Sequence, residues 1–436
     1  MPSEPPDPSE QSVAPWPAPV AGGPVDATVT LPGSKSATNR ALVLAALAGG
    51  PSTLHAPLRS RDSVLMAGAL TALGTRITDG GDDWLVLPRG LTGPATLDVG
   101  NAGTVMRFVP PLAALADGPV RFDGDPRARE RPLGPLLAAL RTLGVRVDDD
   151  GRGALPLTIH GSGGVAGGPV TLDASGSSQL VSGLLLSAPR FEKGAEVRHC
   201  GPPVPSAPHL AMTVAMLRDF GAEVDDETPD VWRVAPGGLT GRELTIEPDL
   251  SNAAPFCAAA LVTGGRVTIA GWPRETAQPG AELPELLTAM GATCTLDDSG
   301  LTVRGGAAIH GIEANLRDVP ELTMTIAALA ALADSPSMLT GVAHIRLQET
   351  DRLAALAAEL NRLGGDVTER EDGLVIRPRP LTGGAFGTYN DHRLATAAAL
   401  LGLAVPGVAV ENVATTGKTM PGFTGLWERM LAGRPN

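Results

Sequence analysis

A chain of 436 residues has room for two or three domains with large cores, and its net charge of −13 excludes a broad nucleic-acid surface, which needs positive potential to meet phosphate backbones. Its three cysteines include no CxxC and no Cys/His pairing at metal-ligand spacing, which argues against a disulfide framework or a zinc site and for a reducing compartment. No apolar run reaches the ~20 residues of a membrane span and the N-terminus lacks the basic-then-apolar order of a signal peptide, so a cytoplasmic protein without membrane contact is expected.

Residues 1–25 hold eight prolines among Ser, Glu and Asp, and 1–13 are expected to be a disordered tail. The stretch 31–50, LPGSKSATNRALVLAALAGG, then reads as strand, turn and helix start. Ser34, Lys35, Ser36, Asn39 and Arg40 fall where unpaired backbone N–H groups and the positive end of the helix dipole favour anions. Taken alone, this stretch reads equally well as an ordinary N-cap with two solvated cations.

Further along, phrases of the form LG-x-x-V recur as LGTRI from Leu73, LGVRV from Leu143, FGAEV from Phe220, MGATC from Met290 and LGGDV from Leu363. Each follows an amphipathic helical pattern and precedes an acidic turn and an alternating run, which predicts helix, glycine cap, strand, turn, strand. In the same phase recur Ala-rich buried helices introduced by polar residues, starting near Ser34, Asn101, Ser175, Leu250, Val319 and Tyr389. Six βαβαββ-like units of about 70 residues, packed against one another, account for nearly the whole chain.

The sixth unit ends before any LG-x-x-V phrase, and residues 25–31 are expected to supply the strand that completes it. The termini then share a domain. Residues 14–33 plus 248–436 form one domain of three units and 34–247 the other, inserted, with the crossings near 32–34 and 247–249 as hinge.

Gathering the six helix starts in one cleft makes their polar residues the site. They are Lys35, Ser36 and Arg40; Asn101, Gly103 and Thr104; Ser175, Ser177, Ser178 and Gln179; Asp249, Ser251 and Asn252; Glu321 and Thr323; and Asn390, Asp391, His392 and Arg393. The loops GDPRARERPL, HIRLQETDRL and TTGKTMPG join them. Only three of the 34 basic residues are lysines, and two, Lys35 and Lys418, stand in polar glycine-flanked loops that suit a compact, proton-exchanging ammonium. Such a cleft has cations for at least two anionic groups, donors for a polyol or phosphate, and Glu321 and Glu349 as candidate proton-transfer groups. Each motif alone is more often a helix cap or a surface ion pair than a catalytic group. Their joint occurrence at equivalent positions of six units is what favours the site.

LPGSKSATNRALVLAALA, GNAGTVMRF, GDPRARERPLGPL, SGSSQ, QETDRL, YNDHR and GKT, in this order over residues 25–430, resemble the EPSP synthase (3-phosphoshikimate 1-carboxyvinyltransferase) family. The resemblance implies a two-domain inside-out α/β barrel of six βαβαββ repeats, three per domain, closing on substrate. It also implies transfer of the enolpyruvyl group of phosphoenolpyruvate to the 5-hydroxyl of shikimate 3-phosphate in the chorismate pathway, with no cofactor or metal, by a monomer. By matching positions, Lys35, Ser36, Arg40, Ser177, Ser178, Gln179, Ser206, Glu321, His344 and Gln348 would hold shikimate 3-phosphate. Lys35, Asn101, Gly103, Thr104, Arg127, Gln179, Arg352, His392, Arg393 and Lys418 would hold phosphoenolpyruvate. Glu321 would take the hydroxyl proton, and Glu349 with Lys35 and Lys418 would manage the methylene proton. Gly103 would leave room for glyphosate.

Three departures stand out: Glu321 where many members have Asp, Gln348 where Lys is frequent, and His209 where some have Tyr. Two other readings remain. An enolpyruvyl transferase acting on UDP-N-acetylglucosamine uses a loop cysteine, which the loop 124–133 lacks. A non-catalytic ligand-binding module would not need Lys35, Glu321, Glu349 and Lys418 together.

Overall fold

The computed structural model describes residues 14–434, so the expected tail at 1–13 lies outside the described residues. The five LG-x-x-V glycines, Gly74, Gly144, Gly221, Gly291 and Gly364, all take φ between 87° and 104°, a region in which an L side chain is strained. Each closes a helix in the same way. Thr75, Val145, Ala222, Ala292 and Gly365 donate their N–H to Leu70, Leu140, Leu217, Leu287 and Leu360, five residues back, so that an orphan carbonyl of the last turn is paired.

After each such helix the chain forms an antiparallel hairpin. Five sheets have four strands and one has three, and in every four-stranded sheet a parallel pair is followed by two antiparallel neighbours. The Ala-rich helices Lys35–Leu47, Gly103–Ala113 and Gln179–Ser187 pack on one another in one half of the molecule. Leu250–Thr263, Thr323–Ala331 and His392–Gly402 do so in the other. Small side chains permit this close approach, and from Ala41 to Leu47 every residue is buried. One buried apolar cluster runs from Ala41 to Ile246, and a second joins Ala18–Leu31 to residues from Leu250 to Met430. The chain is a mixed α/β protein of two domains.

The completing strand of the sixth unit is a correction. Asp26–Val29 pairs in parallel with Arg266–Ala270 and is the first strand of the fourth unit's sheet. The sixth unit, with Ala385–Phe386 and Ala409–Val410, is closed instead by Trp16–Pro17, antiparallel to Ala409–Val410. Pro17 has no N–H to donate, which an edge position tolerates. In the other half, Glu243–Thr245 is the first strand of the first unit's sheet, pairing with Ser52–His55. The first and fourth units thus exchange first strands at the crossings. There, Ser34 N–H donates to the Glu247 carbonyl at 2.8 Å and Asp249 N–H to the Pro32 carbonyl at 3.0 Å. A Cβ on Gly33 would lie 2.4 Å from the Ala56 carbonyl oxygen, so only glycine fits at this crossing.

Candidate active site

The six Ala-rich helices direct their first turns, or the residues just before them, at one cavity of about 230 Å³ between the halves. On the N-terminal side its wall includes Lys35, Ser36, Gly103, Thr104, Ser177, Ser178, Gln179 and Ser206, and on the other side Glu321, His344, Gln348, Glu349, Arg352, His392 and Arg393. Lys35 is the first residue of its helix, capped by Ser34, and its N–H donates to Asp249 Oδ2 at 3.1 Å across the crossing. Its ammonium lies 3.5 Å from Asp62 Oδ2. Burial lowers the Lys35 pKa, and Asp62 pulls it partly back.

Opposite, Glu349 accepts a 2.6 Å hydrogen bond from Lys418 Nζ and lies 3.1 Å from Arg352 Nη2. Burial would raise its carboxyl, but the charges of Lys418, Arg352 and Arg131 outweigh burial and hold it well below the usual carboxylate range. Glu349 is therefore ionised at rest. Arg352 is gripped by Asp391, from Nε at 2.7 Å and Nη2 at 3.2 Å, and donates Nη1 to Gln348. Asp391 also caps the helix that begins with His392, accepting the Arg393 N–H at 2.8 Å. Arg393 Nη1 donates to the Glu321 carbonyl, and Glu321 Oε1 accepts from Ser251 Oγ at 3.2 Å.

Of the residues the resemblance assigned to the ligands, four stand behind the wall, as do Asn252, Thr323, Asn390 and Asp391 of the helix starts. Arg40 is almost fully buried, and its guanidinium donates to Thr213 Oγ1, Ser182 Oγ and the carbonyls of Ser36 and His209. Burial pulls it down to about 9, so it stays charged at neutral pH while bracing Ser36 and His209 from below. Asn101 presents its carbonyl to both Arg131 and Lys418. Arg127 donates to the carbonyls of Gln348 and Arg346, and Lys418 joins Asn101 to Glu349, so both bridge the halves. Helix Arg352–Arg362 and the 413–418 turn keep these groups in place because their own ends are tied to Asp391 and Asn412.

Arg107, Arg131 and Asp62 were not selected from the sequence. Arg107 lies one helical turn after Gly103, so i, i+4 spacing on the wall-facing side could have found it. Arg131 sits in the GDPRARERPL loop already noted, two residues before the apolar Leu133. Nothing local marks Asp62, an N-terminal residue of an ordinary capped helix. A Cβ on Gly103 would fall 2.9 Å from Arg131 Nη2, 3.0 Å from Gln179 Oε1 and 3.1 Å from Arg107 Nη1, so glycine lets three polar groups converge on one point.

Buried polar atoms are as a rule hydrogen-bonded, yet the Nε of Arg107 and of Arg131, Nε2 of His344 and both ring nitrogens of His392 find no hydrogen-bond partner among the described residues. All four side chains line the cavity. Burial, and then Arg393, holds His392 well below its ordinary value; burial holds His344 at about 4, and burial with Arg40 holds His209 at about 3, so all three are neutral at pH 7. Unpaired donors around a cationic cavity fit a polar, anionic ligand. Among the described residues no three His, Cys, Asp or Glu side chains are arranged to hold a metal ion, and no helix is long and apolar enough to cross a membrane. None of the three cysteines lines the cavity: Cys257 is buried, Cys294 half-buried and Cys200 exposed elsewhere.

Residues 20–427 match the sequence model of EPSP synthase (3-phosphoshikimate 1-carboxyvinyltransferase). The chain belongs to the EPSP synthase family. It is similar to EPSP synthase from Acinetobacter baumannii, with 25% identity over 96% of this chain and 97% of that one and a TM-score of 0.80. A second structure of EPSP synthase from that organism gives 0.79 over 98% of its chain. The enolpyruvyl transferase NikO from Streptomyces tendae, at 18% identity and a TM-score of 0.72 over 94% of this chain and 96% of that one, shares the fold. Membership of the family makes the chain a transferase that moves the enolpyruvyl group of phosphoenolpyruvate to shikimate 3-phosphate.

Proposed function

We propose that the cavity carries out this transfer with the residues placed around it, and that the observation carrying the assignment is the presence of Glu321 and of Glu349, backed by Lys418, on one wall of a cationic cavity. Ser36, Ser177, Ser178 and Ser206 hold the phosphate and hydroxyls of shikimate 3-phosphate, with His344 and Gln348 on the opposite wall. Lys35, Gln179, Arg352 and Arg393 hold phosphoenolpyruvate, with Arg107 and Arg131 beside Gly103 adding positive charge. Asn101, Thr104 and His392 complete that end, and Arg127 and Arg40 act by holding the wall. The same end would admit glyphosate.

The chemistry follows from the protonation states. Adding a proton to the enol methylene leaves an oxocarbenium-like carbon, which the 5-hydroxyl attacks while Glu321 takes its proton, giving a tetrahedral ketal. Phosphate then leaves, and the new methyl group loses a proton to restore the double bond. Glu349 lines the cavity and is ionised at rest, so the proton for the first step comes from Lys418, 2.6 Å behind it, by way of Glu349, and Glu349 is the base in the last step and returns the proton to Lys418. Holding the reacting groups between the two halves limits the access of water to the reactive carbon. A monomer in the cytoplasm is the setting this reading assumes.

The test is phosphate release from phosphoenolpyruvate, measured with and without shikimate 3-phosphate. Release that requires both substrates is expected. Binding of both without release at any concentration would overturn the reading and leave a ligand-binding module.

A further inference from the structure

Tyr389 and Asn390 are consecutive non-glycine residues in the left-handed region, with φ of 51° and 56°. Each is unfavourable on its own, and such a pair persists only where its surroundings over-determine it. They immediately precede Asp391, His392 and Arg393, so the direction in which those three side chains leave the backbone is set by this turn.

What holds the turn lies outside the cavity. Glu359, with no exposed surface, projects from helix Arg352–Arg362 and accepts the Gly387 N–H on Oε2 at 2.9 Å and the Tyr389 hydroxyl on Oε1 at 2.7 Å. Arg362 lies 3.1 Å from Oε1 and balances its charge. A Cβ on Gly387 would come within 3.1 Å of Glu359 Oε1, so the glycine lets backbone and carboxylate meet. Asn390 is tied separately, accepting from Asn412 Nδ2 at 2.7 Å. Seven residues before Glu359, two turns along the same helix, Arg352 grips Asp391. One helix therefore holds the turn at both ends. Tyr389 is the only tyrosine of the chain, and its half-exposed ring contributes little burial, so its hydroxyl is the part of it that the structure uses.

We infer that Glu359 and Tyr389 are positioning residues for the anion site: their hydrogen bond fixes the left-handed turn that aims His392 and Arg393 into the cavity. This rests on the proposed function for its kinetic consequence but not for its structural one. If the turn relaxes, Arg393 loses its fixed direction while Ser36, Ser177 and Ser178, on the other half, are untouched. Binding of phosphoenolpyruvate should weaken and binding of shikimate 3-phosphate should not.

Tyr389→Phe removes the one hydroxyl and nothing else. Two readouts are taken on the full chain: hydrogen exchange of the backbone amides over residues 387–395, and steady-state kinetics with each substrate varied in turn. Exchange about tenfold faster in that segment alone is expected, together with a KM for phosphoenolpyruvate raised about tenfold and both kcat and the KM for shikimate 3-phosphate within twofold. Glu359→Gln, which keeps one acceptor oxygen for two donors, should fall between wild type and Tyr389→Phe in both. Unchanged exchange in both variants overturns the tether, as does a loss in which both KM values and kcat move together with a lowered melting temperature. If the wild-type protein itself releases no phosphate, the proposed function fails, and the exchange comparison still decides the tether.

Discussion

The two walls of the cavity handle buried charge in opposite ways. On the N-terminal half, Arg40, Arg107 and Arg131 are buried guanidiniums with no carboxylate at ion-pair distance among the described residues; their partners are carbonyls, hydroxyls and the Asn101 and Gln179 side chains. On the C-terminal half, Arg352 is clasped by Asp391 and touches Glu349, which in turn holds Lys418. The first wall carries uncompensated positive charge, and a bound anion is what would complete it. The second is already balanced, and a proton can shift within it without leaving a bare charge. On the proposed roles, proton transfer falls to the second wall, while recognition draws on both.

Substitutions can break that contrast. The largest effect is expected for Glu321→Gln, which removes the base from the balanced wall: turnover should fall about a thousandfold, with shikimate 3-phosphate binding by calorimetry nearly unchanged. Near-normal turnover would take Glu321 out of the proton path. Asp391→Asn strips Arg352 of its bidentate partner inside the core, and stability should drop by about 3 kcal/mol, read from the chemical denaturation midpoint. Lys35→Met deletes the one ammonium on the N-terminal wall, and KM should rise roughly tenfold or more for each substrate, since a charge-assisted hydrogen bond contributes ~1.5–3 kcal/mol. An effect on only one substrate would show that the two ligands do not share Lys35. Smallest, and opposite in sign for stability, is Arg107→Met: relieving an uncompensated buried charge should leave the denaturation midpoint unchanged or raise it by about 1 kcal/mol, while KM for phosphoenolpyruvate increases. A destabilisation matching that of Asp391→Asn would erase the distinction between the walls.

Local signals carried much of this architecture. The glycine of LG-x-x-V must be left-handed to close its helix, so five helix ends were legible from sequence, and the polar starts of the Ala-rich helices located the wall. Strand pairing was less legible, because Asp26–Val29 has the same alternating pattern whichever sheet receives it, and only the path of the chain through the crossings assigns it to the fourth unit. Trp16–Pro17 sits in a proline-rich stretch whose composition hides a two-residue edge strand. Arg40 illustrates another limit. Its position on the first turn pointed to the cavity, and in the structure its guanidinium is paired with Thr213 and the His209 carbonyl, a burial decided by a helix some 170 residues away. Asp62 became visible only when separate units were brought together, whereas the spacing from Gly103 could have found Arg107.

The exchange of first strands at the crossings also bears on how the chain is made. Synthesis delivers residues in order, and Asp26 meets its partner Arg266 only after 240 further residues have emerged. By then every strand of the N-terminal half, ending at Thr245, is available, so that half can close its own sheets and core as an excursion. Meanwhile the short strand Asp26–Val29 waits with an unpaired edge, and the half that carries Glu321 and Glu349 cannot begin its fourth-unit sheet until the chain has returned through Pro248. The half that carries the unpaired guanidiniums of Arg40, Arg107 and Arg131 can therefore close before the half that carries Glu321 and Glu349 begins its first sheet.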